Sequence, residues 1–140
     1  MKSVLGVVMI LSALALAIAP VFTDCESQGK AITLANGKTI PMKCHWTGRA
    51  ALAMAFPLAA AGLLLAFSRR KETQRALSIV AAVSGIMVIL LPTVLIGVCG
   101  SPDMICNMIE RGALVLAGVL TVACGVAGLV LARGPEPSAA

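Results

Sequence analysis

The chain has 140 residues, of which 59% are hydrophobic and only 12% charged, and it carries a formal net charge of +5. Soluble domains are roughly one-quarter charged, and a unit of this length folded in water has too little interior to hide several apolar runs of spanning length, so an ordinary soluble domain is excluded. Many of the basic residues sit just outside apolar runs, and they form no contiguous face with interleaved aromatics, which argues against nucleic-acid binding.

Met1-Lys2-Ser3 places a positive charge ahead of an uncharged run over residues 4–22. That run exceeds the roughly 7–15 residues of a signal-peptide core. Pro20 also follows the candidate cleavage pattern Ala17-Ile18-Ala19, so an uncleaved first span is expected. Residues 23–49 form the longest polar stretch. Within it Ala31–Ala35 and Lys38–Met42 flank Asn36-Gly37, a β-hairpin signal in which Asn-Gly accepts the positive φ angles of a type I′ turn. Pro41 confines its arm to an edge or a strand end. Two strands alone are marginal in water, so the hairpin requires a staple or a supporting surface.

Residues 50–67 are the second uncharged run, and the linker at 68–75 holds four basic residues and one acid. The positive-inside rule puts this linker, and with it both termini, in the cytoplasm. A third span is expected at 76–98, with Pro92 near its outer end, where neighbouring helices cover the lost backbone bond. An outer loop at 99–112, a fourth span at 113–132 and a disordered inner tail at 133–140 complete the chain. The fold class is therefore an all-α membrane protein: one domain over residues 1–140, a four-transmembrane-helix bundle with a small extracytoplasmic β-hairpin cap. No Asp, Glu, Lys, Arg or His falls inside these spans, which argues against a pump or carrier acting alone.

Cys25 and Cys44 bracket the long outer loop, Cys99 and Cys106 bracket the short one, and Cys124 lies among apolar residues of the fourth span as a small packing residue. Outside the cytoplasm the four loop thiols are expected to be oxidised. Three connectivities are open. The preferred one is Cys25–Cys44 with Cys99–Cys106, each bond closing one loop and the longer closure contributing about 3 kcal/mol on a chain-entropy estimate.

The two halves echo one another. Span, Pro20, Cys25, loop, Met42-x-Cys44-x4-Arg49-x-Ala51-Leu52 is followed by span, Pro92, Cys99, loop, Met104-x-Cys106-x4-Arg111-x-Ala113-Leu114. An internal two-fold repeat with its axis along the membrane normal is expected, because each half crosses the membrane twice. Small residues at every fourth place, Ala51, Ala55 and Ala59 and then Ala113, Ala117, Thr121 and Gly125, let helix backbones approach closely in lipid.

Three kinds of site remain open. His45 with Met42, Met104 and Met108 offers imidazole and thioether ligands for copper or haem. Ile32, Leu34, Ile40, His45, Trp46 and Arg49 offer a rigid amphipathic surface for another membrane protein or a second copy of the chain. His45-Trp46 also suits the headgroup depth of the bilayer. The third kind is thiol chemistry. Four spans with two cysteines in each outer loop, and the run Cys106-Asn107-Met108-Ile109-Glu110-Arg111-Gly112-Ala113-Leu114, resemble the bacterial quinone-linked disulfide-generating membrane oxidoreductases. That resemblance implies Cys99 and Cys106 as a redox pair with Arg111 near a quinone head group. Those enzymes carry a Cys-x-x-Cys pair in the first outer loop, and this chain has none.

Pro41-Met42-Lys43-Cys44-His45-Trp46-Thr47-Gly48-Arg49-Ala50 resembles, with essentially the whole chain, an uncharacterised family of bacterial membrane proteins marked by a Cys-His-Trp/Tyr-Thr signature. Such families are similar to subunits found alongside ABC-type exporters that have large extracytoplasmic permease domains. The resemblance implies a small accessory subunit of the bacterial cytoplasmic membrane rather than a self-sufficient enzyme. No catalytic constellation is complete in the sequence, and no cofactor is required by it.

Overall fold

The computed structural model describes residues 2–23, 25 and 29–134. Each uncharged run becomes a helix, as it must where lipid offers no partner for backbone N–H and C=O groups: α1 Lys2–Thr23, α2 Lys43–Phe67, α3 Lys71–Leu90 and α4 Arg111–Ala132. A π-helical turn, Leu91–Leu95, extends α3, and another, Cys106–Glu110, leads into α4. All four helical segments are long and apolar enough to cross a membrane.

The helices overrun the expected limits at their polar ends. α2 starts at Lys43 rather than residue 50, and α3 at Lys71 rather than residue 76. Lys, Arg, Glu and Gln are good helix formers, and their long stems reach to the interface, so loss of apolarity marks the edge of the lipid and not the end of the helix. The third span stops short instead. Pro92 has no N–H to donate, and the π turn it opens ends when the Ile96 and Gly97 amides both donate to the Leu91 carbonyl at 3.1 Å.

The hairpin forms with β1 Ile32–Thr33 antiparallel to β2 Thr39–Ile40, pairing Ile32 with Ile40 and Thr33 with Thr39. Its turn differs from the two-residue type I′ form. The Gly37 amide donates to the Leu34 carbonyl (3.0 Å), the Leu34 amide donates to the Lys38 carbonyl (2.8 Å), and only Gly37 has positive φ (+80°). Asn36 therefore stays right-handed, and a three-residue loop ends on a left-handed glycine.

α1 packs along α2 and α3 along α4, while α4 against α1 and α2 against α3 close the ring. Two tandem helix pairs of one orientation give this arrangement. The buried stripes are Met9, Ala13 and Leu16 on α1, Ala51, Ala55, Leu58 and Leu65 on α2, Ala81 and Val88 on α3, and Leu114, Ala117 and Thr121 on α4. Outward-facing Val7, Phe56, Val83 and Leu116 are exposed, as lipid-facing residues must be. Each pair has one reciprocal glycine crossing. A Cβ placed on Gly6 would stand 2.9 Å from the Gly62 carbonyl oxygen, and one on Gly85 or Gly118 would stand 2.9 Å from the other's carbonyl oxygen.

At the linker end, Lys71 Nζ donates to the Gly134 carbonyl (2.9 Å) and Arg75 Nε to the Ala132 carbonyl (3.1 Å). Two linker cations thus satisfy carbonyls at and beyond the α4 C-terminus, where the helix dipole favours positive charge.

Gly118→Leu is expected to lower stability in detergent by about 1–3 kcal/mol through overpacking, whereas Gly112→Ala, whose Cβ would meet nothing within 4 Å, should not. Thermal unfolding of both variants checks this, and a Gly118→Leu protein that melts like the parent contradicts the crossing.

Candidate functional site

Four segments deliver cysteines to the end of the bundle opposite the linker. Cys25 lies just past α1, Cys44 in the first turn of α2, Cys99 in the connection beyond α3, and Cys106 at the start of the turn into α4. Their four sulfurs all lie within 4.8 Å of one another. Cys25 and Cys106 are joined as a disulfide. Cys99 Sγ stands 3.3 Å from Cys44 Sγ and 3.7 Å from Cys25 Sγ, with Met42 Sδ 3.9 Å away. Cys25, Cys44 and Cys106 are buried, Cys99 is half-buried, and Met42 and Met104 pack around the group.

This pairing corrects the expected one. Cys25–Cys44 and Cys99–Cys106 would each have closed a single loop, whereas the bond runs from the end of α1 to the start of α4. The physical reason is convergence: the ring sets α1 against α4 as well as α2, and all four sulfurs come within 4.8 Å of one another, so bonding is not confined to the two ends of one loop.

Backbone and side-chain bonds hold the cluster in place. Thr47, fully buried one turn after Cys44, donates its hydroxyl to the Gly97 carbonyl at 2.7 Å, tying the start of α2 to the connection that carries Cys99. Gly97 is left-handed (φ +79°), which turns that connection over the end of α3. The Lys30 amide donates to the Cys25 carbonyl at 2.9 Å.

Glu110 is also fully buried, in the turn between Cys106 and α4. Expected limits placed it in a loop, but the turn carries it into the bundle beside α2, where a Cβ on Gly48 would stand 3.6 Å from its Oε1. One signal for it was present in the sequence. The register that aligns Cys44 with Cys106 sets Gly48 against Glu110, so the smallest residue of one half faces a carboxylate of the other.

The other singled-out residues separate into three groups. Ile32, Leu34 and Ile40 are exposed on the hairpin, and Trp46 is exposed at the start of α2. His45, half-buried, meets the Trp46 ring edge-to-face with centroids 5.8 Å apart, and Arg49 is exposed beside it. Met108 and Arg111 instead line a groove of about 570 Å³ between α3 and α4, with Asn107 at the same end and Ile89, Leu116 and Val119 below. The soft-ligand set is thereby divided: Met42 and Met104 lie on the sulfur cluster, and Met108 lies in the groove.

Oxidised, such a cluster is a covalent tie between loops. Reduced, it presents the four-thiolate donor set that suits zinc or another soft ion. Burial closes three of its sulfurs to an incoming protein thiol.

Thr47→Val should lower unfolding stability in detergent by about 1 kcal/mol, the net value of one hydrogen bond, and Thr47→Ser should restore it. Equal stability of all three proteins would show that the Thr47–Gly97 bond does not brace the site.

No curated protein and no solved structure matches the chain. A family described as a domain of unknown function, DUF4418, matches residues 2–131, nearly the whole chain, and the protein belongs to that family.

Proposed function

We propose that the protein is an accessory subunit of the bacterial cytoplasmic membrane, with both termini inside, whose sulfur-tied outer loops dock a larger membrane partner such as an ABC-type exporter. The observation that carries this reading is the exposure of the hairpin. Ile32, Leu34 and Ile40 are 52%, 40% and 44% exposed, and Trp46 is 59% exposed, at the end of the molecule where the loops are tied. A two-stranded sheet with apolar residues turned outward is marginal in water, and a partner surface would bury them. The Cys25–Cys106 bond on one side and the start of α2 at Lys43 on the other hold the hairpin before binding, which reduces the ordering cost of docking.

A photo-crosslinking residue at Leu34 is expected to give one discrete heavier adduct with a membrane protein in native membranes, while the same residue at lipid-facing Phe56 gives lipid adducts. Adducts to lipid alone at Leu34 would defeat the docking reading. A dimer of the chain itself would make the partner a second copy.

A second reading has an observation of its own. The turn that carries Cys106 in the sulfur cluster also leads to Arg111 at the polar end of the apolar groove, the two features a quinone-linked thiol–disulfide oxidoreductase needs side by side. In that case Cys25–Cys106, rather than Cys99–Cys106, is the bonded pair, with Cys99 next in line. Structural bonds should show reduction potentials below about −300 mV and no response to added quinone. Quinone-dependent reoxidation that is lost in Arg111→Ala would favour the enzyme instead.

A further inference from the structure

We infer that Cys44 and Cys99 form a second disulfide, so that two crossed bonds, Cys25–Cys106 and Cys44–Cys99, tie the two halves of the molecule at one end. Three independent observations lead there.

The first is proximity. Cys99 Sγ is nearer to Cys44 Sγ, at 3.3 Å, than to Cys25 Sγ, at 3.7 Å, and Cys25 is already bonded to Cys106. Closing to the roughly 2.05 Å of a disulfide asks for a movement of about 1 Å. Cys99 sits between Gly97, which is left-handed, and Gly100, around which a Cβ would meet nothing within 4 Å.

The second is the repeat. Matching the halves by their order of span, proline, cysteine and Met-x-Cys sets Cys25 against Cys99 and Cys44 against Cys106. Exchanging the halves therefore turns the bond Cys25–Cys106 into Cys99–Cys44. The packing has the same character, with α1 beside α2 and α4 and, correspondingly, α3 beside α4 and α2. One bond of the symmetric pair is present, and its counterpart joins the two sulfurs left over.

The third is the Thr47–Gly97 hydrogen bond. At 2.7 Å it joins the same two segments, the first turn of α2 and the connection after α3, that the second disulfide would join. The segments are held together without the sulfurs, so the bond would lock an approach that already exists.

Formation balances as two thiol–disulfide exchanges with a disulfide donor, a thiol oxidase protein or a small-molecule disulfide. The Cys99 thiolate, on the least buried of the four residues, attacks one donor sulfur. One donor thiolate leaves and takes a proton, giving a mixed disulfide. Cys44, deprotonated, then attacks the Cys99 sulfur and expels the second donor thiolate, which is also protonated. Two cysteine thiols are oxidised and one donor disulfide is reduced to two thiols.

This deepens the docking reading, since crossed ties hold both outer connections at the same point. The experiment is differential alkylation of the full-length protein. Native membranes are denatured in the presence of one maleimide, then reduced, and the newly freed thiols are labelled with a heavier one. A non-reducing digest is mapped alongside by mass spectrometry. One light label per chain, on Cys124, is expected, with linked peptides Cys25–Cys106 and Cys44–Cys99. Light label on both Cys44 and Cys99 overturns the inference. So does any other linkage, or stoichiometric zinc or copper in the purified protein with all four thiols reactive after chelation. Cys44→Ser should leave Cys99 light-labelled and Cys25–Cys106 intact, which checks the assignment in a protein that keeps one tie. The Leu34 crosslink reads docking independently, so failure of the second bond and failure of the docking reading are separate results.

Discussion

The structure depends on four cysteines from four segments converging at one end of the helix ring, where one bond already joins the end of α1 to the start of α4. That bond joins residues 81 positions apart in sequence and encloses all of α2 and α3. For a chain unfolded in water such a closure is worth about 4.5 kcal/mol on the chain-entropy model. In a bilayer the helices persist and the gain is smaller, so the consequence is mainly geometric. Both connections at that end are referred to one point, and each helix pair is prevented from drifting away from the other there.

The remainder of the molecule is held by weaker and more distributed interactions. Small residues allow the Gly6–Gly62 and Gly85–Gly118 crossings, where dispersion between close backbones replaces a hydrophobic drive that lipid does not supply. Hydroxyls deeper in the bundle satisfy themselves locally, as Ser12 does on the Val8 carbonyl and Thr121 on the Ala117 carbonyl, leaving the interior without a polar network between helices at those places. At the linker end, Lys71 and Arg75 cap the C-terminal region of α4. The basic linker read from sequence as a topology signal is thus also a helix cap. The two ends of the bundle are closed by different chemistry, sulfur at one and charge at the other.

Much of this architecture was legible in the residues. Four uncharged runs specified four helices because a lipid-exposed backbone has no alternative. Their ends were less legible, since Lys43 and Lys71 continue a helix as readily as they leave the membrane. Asn36-Gly37 marked the hairpin but not its turn type, which depends on whether one or both residues take positive φ. The cysteines were identified as one set, yet all four sulfurs converge within 4.8 Å, so their pairing is decided by approach at that point, whereas sequence spacing alone favours the ends of a single loop. The burial of Glu110 was not expected, because it arises from a π-helical turn where the sequence reads as a loop, and only the Gly48 register hinted at it.

The hairpin, Trp46 and the sulfur cluster lie together at the end of the bundle opposite the linker, with the Arg111 groove between α3 and α4 as a separate feature. Sidedness is what joins these elements into a lid. The most direct measurement uses a membrane-impermeant amine reagent on intact cells, with labelled peptides identified by mass spectrometry. Lys38 on the hairpin and the amine introduced by Ser101→Lys should react from outside, and Lys71 should react only after permeabilisation. Labelling of the two loop amines from opposite faces, or of Lys71 from outside, would contradict a lid of two outer connections tied through sulfur.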